Sequence, residues 1–230
     1  MSLYRKIIRK WAIWKADLLY AHCFKLFGDT AGGVHWRDEQ EQQLRFQILC
    51  EPMKEYLYEN PKVSITDLGC GYGALFDYLQ NRGFVGQYYG YERNSKMIQY
   101  AKQQFPYKNA HFIHRSAIQI PTDFTVISGT LNLKMQAPTE IWWEEVQDIL
   151  ESTWMKTRWM MAFNYLAIPS KRTMMNRLFY CNSKDMNEFC STLSQHVCIQ
   201  EIPPLLDTQV HVWRNEFQKI KSAEHSKNDS

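Results

Sequence analysis

Val63-Ser64-Ile65-Thr66-Asp67-Leu68-Gly69-Cys70-Gly71-Tyr72-Gly73 is the stretch that decides the fold of this 230-residue chain. The β-branched run Val63, Ile65 and Thr66 has the character of a buried parallel strand. Three glycines then alternate with other residues, and 74–79 continue with helical spacing. Glycine belongs where the backbone turns sharply, or where a ligand must approach with no Cβ in the way. A strand, a glycine turn and a helix N-terminus in that order form a nucleotide-binding crevice of an open α/β sheet. No Lys-Ser or Lys-Thr follows the glycines, which excludes a phosphate-cradling P-loop.

The acidic residue stands before the first glycine, in the pattern Asp67-x-Gly69-x-Gly71-x-Gly73. A second strand over 86–92 ends in Glu92, 19 residues after Gly73. A carboxylate at the tip of the neighbouring strand suits an acceptor for both ribose hydroxyls. Together these segments resemble motif I and its partner strand in class I S-adenosylmethionine (SAM)-dependent methyltransferases, over roughly residues 34–215. The resemblance implies SAM as cofactor, held by Asp67, Gly69, Cys70, Gly71 and Gly73, with Glu92 and Arg93 beside it.

Bulk composition is that of a globular chain, with a net charge of +3 and no basic block of the kind that marks nucleic-acid binding. Six cysteines are scattered without a Cys-x-x-Cys pair, and there is no signal peptide or long apolar span. A cytoplasmic protein with reduced thiols is expected. Residues 3–27 read as one or two helices carrying tryptophans and basic residues. They suit either a membrane-surface helix or a cap packed on the catalytic domain or on a second subunit; the reading adopted is the cap, with these helices as the candidate homodimer contact, and a membrane partner is not expected.

Downstream, 34–37 (Val-His-Trp-Arg) precede a polar helix running to Tyr58. Several small-molecule methyltransferases carry a similar segment ahead of motif I, where it closes over the cofactor. That likeness makes Trp36 a cofactor contact, Arg45 or Arg37 a partner for the SAM carboxylate, and His35 a substrate contact. A capped helix over 96–105 and a third strand over 110–114 follow. There the family's usual Gly-Asp, which holds adenine, is replaced by Arg115-Ser116, leaving Ser116 and the backbone of Ala117 to contribute. A fourth strand over 123–129 resembles motif IV, with Ser128 at the cofactor-facing end. It lacks the Asn/Asp-Pro-Pro-Tyr of enzymes that methylate adenine or glutamine amides, which argues against nucleic-acid and release-factor substrates.

After a helix over 140–155, a fifth strand over 159–166 places Asn164 and Tyr165 beyond the sheet's carboxyl edge, near Asn132. With His35 they are the catalytic candidates, suited to orienting an amine or carboxylate near a sulfonium. Tyr20, Trp36, Tyr72, Phe163 and Tyr165 are candidate aromatic walls. No acidic or histidine pair marks a metal site, and none is expected. Residues 167–181 form an insertion expected to shape the substrate pocket, before a closing antiparallel hairpin.

The expected architecture is a Rossmann-like α/β sheet of order 3-2-1-4-5-7-6 with strand 7 antiparallel. It divides into a helical cap or lid over 1–58, a catalytic domain over 59–221 and a disordered tail over 222–230. The expected function is methyl transfer from SAM to a small-molecule metabolite. One alternative is a SAM cyclase or lyase of the same fold, similar to azetidine-2-carboxylate synthases, which expel methylthioadenosine. A third is a SAM-binding module without catalysis.

Overall fold

The computed structural model describes residues 2–168, 175–203, 205–215 and 217. Two short runs set the centre of the sheet. Strands β1 (Ser64–Leu68) and β4 (Thr122–Ile127) are buried along their whole lengths, as parallel strands covered on both faces must be. They pair with each other, and β2 (Gln87–Glu92) and β3 (Ala110–His114) continue the parallel sheet beyond β1. On the other side, β5 (Thr157–Ala167) runs parallel to β4, and the antiparallel pair β8 (Asp207–Trp213) and β7 (His196–Glu201) completes the edge. The order β3-β2-β1-β4-β5-β8-β7 is the one expected from sequence, with β7 and β8 as the closing hairpin.

One strand was not expected. Within the 167–181 insertion, β6 (Tyr180–Cys181) pairs with Leu166 and Ala167 of β5. β4 stops pairing at Phe163 while β8 occupies the opposite edge, so β6 takes the β4 side of β5's overhanging end. The part of the insertion over 169–174 and the tail over 222–230 lie outside the described residues.

Helices cover both faces. α1 (Leu3–Phe27), α2 (Glu39–Cys50) and α3 (Lys54–Glu59) precede the sheet; α4 (Ala74–Gln80), α5 (Ser95–Gln104), α6 (Thr139–Trp154) and α7 (Ser183–Leu193) are interleaved with it. The polar helix expected to run to Tyr58 is broken by a 3₁₀ turn, Glu51–Met53. Pro52 lacks the amide hydrogen that a continuous helix would need there. One core layer sets Phe46 and Leu49 of α2 with Leu75, Phe76 and Ile98 against the sheet. The other sets Trp142, Val146 and Leu150 of α6 with Met186 and Phe189 of α7, and Ala12 of α1 joins it.

Four buried threonines lie at the middle of the sheet without orphaning a hydroxyl. Thr122 Oγ1 donates at 2.9 Å to Thr66 Oγ1, and Thr125 and Thr157 meet at 2.7 Å. At the amino ends of the central strands, Asp123 accepts from Ser64 N at 2.8 Å and Ser64 Oγ at 2.7 Å. The polar work at that end is structural, which leaves the carboxyl edge for the site.

Candidate active site

The carboxyl ends of β1, β2 and β4 open into a cavity of about 340 Å³. Its floor is the glycine turn. Gly69 N and Cys70 N both donate to Tyr91 O, at 2.8 and 3.1 Å, which folds the turn back onto the end of β2. Gly69 has φ +83°, and a Cβ there would stand 2.1 Å from Thr130 Oγ1. Only glycine tolerates both conditions.

Glu92 closes the β2 side. Its Oε1 accepts from Arg93 N at 2.7 Å and Asn94 N at 2.8 Å, and its Oε2 accepts from Gly71 N at 3.2 Å. These amides fix the carboxylate against the glycine turn while it still lines the cavity. Asp67 lines the floor from β1, where Tyr88 donates to its Oδ2 at 2.7 Å. Burial pushes the Asp67 carboxyl up to about 7, against the pull of the Tyr88 hydrogen bond.

On the β4 side Ser128, Gly129 and Thr130 line the cavity, and Ser128 Oγ is buried with no hydrogen-bond partner among the described residues. Gly129 is held from below: its N donates to Asn164 Oδ1 at 2.8 Å. Asn164 Nδ2 in turn donates to Asp207, which also accepts from Arg45 Nε at 2.8 Å and Gln209 Nε2 at 3.0 Å. The Arg45 guanidinium lies 4.1 Å from the centre of the Trp36 ring, and that indole packs against Gly129 and lines the cavity. One buried polar network therefore sets both the Gly129 backbone and the Trp36 wall.

The roof comes from two helices. α1 supplies Ile13, Ala16, Asp17 and Tyr20, and α6 supplies Trp142, Glu145 and Ile149. Arg9 of α1 pairs with Glu145 and Asp148 of α6, Arg93 Nη2 reaches Asp17 Oδ1 at 2.9 Å, and Tyr20 OH donates to Gly129 O at 3.5 Å. Burial raises the Asp17 carboxyl, partly offset by Arg93. Four carboxylates (Asp17, Asp67, Glu92, Glu145) line the cavity against two guanidiniums (Arg93, Arg115), in a chain whose net charge is +3. Glu145 is paired with Arg9 and Asp17 with Arg93, so Glu92 and Asp67 are the acidic groups left to face a ligand bearing positive charge.

A methyltransferase-domain family model matches residues 65–153, from β1 through α6. A Mycobacterium tuberculosis protein named as a methyltransferase, Rv1506c, is 33% identical over 129 residues, which are 55% of this chain and 78% of that protein. The chain belongs to the class I SAM-dependent methyltransferases. SAM is the methyl donor of this family. Among solved structures, the SAM-bound magnesium protoporphyrin IX methyltransferase of Synechocystis has a TM-score of 0.58 at 16% identity, over 76% of this chain and 80% of that one. A SAM-dependent methyltransferase of Leishmania major has a TM-score of 0.57 at 13% identity, over 88% and 89% of the two chains.

In this methyltransferase Asp67, Gly69, Cys70, Gly71, Glu92, Arg93, Ser116, Ser128 and Trp36, all expected at the cofactor, converge on the cavity. Gly73, Ala117 and Arg45 are not among its lining residues. Gly73 starts α4 behind the turn, and Arg45 is spent on Asp207 and Trp36. Arg37 is on the surface, paired with Asp38 and Glu41.

The four residues expected at the reacting centre also lie outside the lining. Asn164 is fully buried and committed to Gly129 and Asp207; Tyr165 is fully buried with its hydroxyl 3.1 Å from Ser183 Oγ. Asn132 accepts from Phe179 N at 2.8 Å through its backbone oxygen, where the β4 loop meets the insertion, and its side-chain Oδ1 is buried with no hydrogen-bond partner among the described residues. His35 adopts a left-handed φ of 65° and sits 3.9 Å from Cys23 Sγ and 3.4 Å from Arg177 Nη2. Burial and Arg177 both lower its pKa. Of the aromatic candidates, Tyr20, Trp36 and Tyr72 face the cavity, while Phe163 and Tyr165 are core. The α6 contribution was missed; its adjacent tryptophans, Trp142 and Trp143, were the available signal.

Proposed function

We propose that this protein transfers the methyl group of SAM to a small-molecule metabolite, with residues 1–58 acting as a helical cap over a catalytic domain spanning 59–221. The observation that carries the reading is the composition of the cavity at the carboxyl edge: a glycine turn, a fixed carboxylate on the adjacent strand and an acidic, aromatic-walled roof. The fit to SAM is supported by the orphaned Ser128 hydroxyl and by the tight glycine floor, which leaves no Cβ between backbone and ligand.

Glu92 would accept from the ribose hydroxyls, Arg115 and Ser116 would border the adenine, and Asp67, Ser128 and Trp36 would face the methionine moiety. When bound, SAM supplies a methyl group on a positively charged sulfur, open to in-line attack. The chain's own contribution is positioning and exclusion of water, which can account for ~7–11 kcal/mol of a barrier. Tyr20, Trp36 and Trp142 exclude water, and cation contacts with such rings are worth about 0.5–2 kcal/mol each. Asp17 and Glu145, the roof carboxylates paired with Arg93 and Arg9, would be the groups to take a proton from the acceptor. The magnesium protoporphyrin IX enzyme of the same fold acts on a small molecule, which supports a metabolite as the acceptor over a macromolecule.

The test is incubation of the purified protein with SAM, first alone and then with candidate acceptors, with products read by mass spectrometry. S-adenosylhomocysteine formed only with an acceptor is the expected result. Methylthioadenosine formed from SAM alone would overturn methyl transfer in favour of an intramolecular reaction.

A further inference from the structure

α1 has two apolar faces. Arg9, Ala12, Ala16 and Cys23 are buried against the rest of the molecule. On the opposite side Tyr4, Ile7, Trp11, Trp14 and Leu18, spaced alternately by three and four residues, are 40–67% exposed. That spacing keeps them on one side of a helix. A stripe with two tryptophans left in water is an unfavourable surface for a protein with nothing to cover it.

The charges beside the stripe indicate what covers it. Arg5 and Arg9 turn toward Glu144, Glu145 and Asp148 of α6 and are paired there. Lys6 and Lys10 follow one edge of the apolar stripe, and Lys15 the other, with its Nζ 5.4 Å from the Trp11 ring centre and 5.6 Å from that of Trp14. The only carboxylate of α1, Asp17, points to Arg93. The outer face is therefore apolar in the middle with lysine on both edges, and the one carboxylate in line with Lys10, Asp17, is drawn to Arg93.

A second copy of this helix fits poorly. Whether two such helices pack parallel or antiparallel, each lysine edge meets another lysine edge, and like charges repel. A surface that is negative at its rim and apolar below accepts the same face without conflict. Tryptophan and tyrosine settle at the headgroup level of a bilayer, and lysine ammonium groups reach anionic headgroups.

We propose that the outer face of α1 docks on an anionic lipid bilayer, with the helix lying in the plane of the surface. No helix among the described residues is long and apolar enough to cross a membrane, so the contact is peripheral. Cap and membrane surface, alternatives at the level of sequence, then belong to opposite faces of one helix. The bilayer contacts the same helix whose inner face lines the cavity with Ile13, Ala16, Asp17 and Tyr20.

The test is cosedimentation of the full chain with vesicles of phosphatidylcholine alone and of phosphatidylcholine mixed with phosphatidylglycerol, with indole emission recorded in parallel. The expected result is binding to the anionic vesicles only, with a blue shift in emission and a loss of binding as salt is added. Lys10→Gln with Lys15→Gln should weaken binding by about fivefold per lysine, and Trp11→Glu with Trp14→Glu should abolish it, with circular dichroism spectra unchanged. Equal binding to both vesicle types, or binding to neither, overturns the proposal. So does a dimer in light scattering that the tryptophan variant dissolves, which would assign the stripe to a second copy.

Discussion

Gly69 carries two constraints at one position: a left-handed backbone and a Thr130 hydroxyl where a Cβ would stand. Gly69→Ala should therefore lower the melting temperature and weaken SAM binding by more than tenfold, measured by differential scanning fluorimetry and calorimetric titration. Adding Thr130→Ala should recover part of the loss, because it removes the clash and leaves the φ penalty of about 1–2 kcal/mol.

Asp67 makes a pH prediction. Its folded carboxyl titrates near 7, raised by burial from the ordinary 3.8. The folded state then holds this proton over a pH range in which the unfolded chain has released it. The sign follows: stability from this group is present below the ordinary carboxylate pKa and falls as pH rises towards 7, by up to about 4 kcal/mol. Asp67→Asn should flatten that decline in urea unfolding. A cationic ligand prefers the ionised carboxylate, so SAM affinity should rise as pH increases through neutrality in the wild type and be nearly constant in Asp67→Asn.

Among the elements, a buried chain of bonds runs from α2 through β8 and β5 to the loop after β4. Arg45, Asp207 and Asn164 are all buried, and the chain of bonds ends on Gly129 N at the cavity. Removing one member of a buried ion pair leaves the other charge uncompensated, at a cost of about 3–5 kcal/mol. Arg45→Met should show that loss in chemical denaturation. Arg45→Met together with Asp207→Asn should be less destabilised than the sum of the two single variants. This network also explains what the sequence could reveal. The strand–glycine–helix turn and Glu92 were legible because their geometry is local, set by residues a few positions apart and by one neighbouring strand. The depth of Asn164 and Tyr165 was not. Strand periodicity places them at the carboxyl edge, but β8 and β6 flank that end of β5 and direct its polar groups inward.

At the scale of the whole molecule, the sheet order was readable from the succession of runs along the chain. The roof of the cavity was not, because α1 and α6 are separated by more than a hundred residues and meet through Arg5 and Arg9. A helix that is apolar on two sides carries no single periodic stripe from which its packed face can be chosen.

The ion pairs that hold α1 over the cavity have a kinetic consequence. Arg5–Glu144 and Arg93–Asp17 are partly open to solvent, so dissolved ions compete with them at a screening length of about 8–10 Å in ordinary buffers. They act as a clasp whose grip is set by ionic strength. Added salt should speed the dissociation of S-adenosylhomocysteine in stopped-flow measurements, and Arg5→Ala should reproduce the faster release at low salt. If turnover is paced by product escape, this enzyme would run faster in brine than in dilute buffer until the loosened roof admits water.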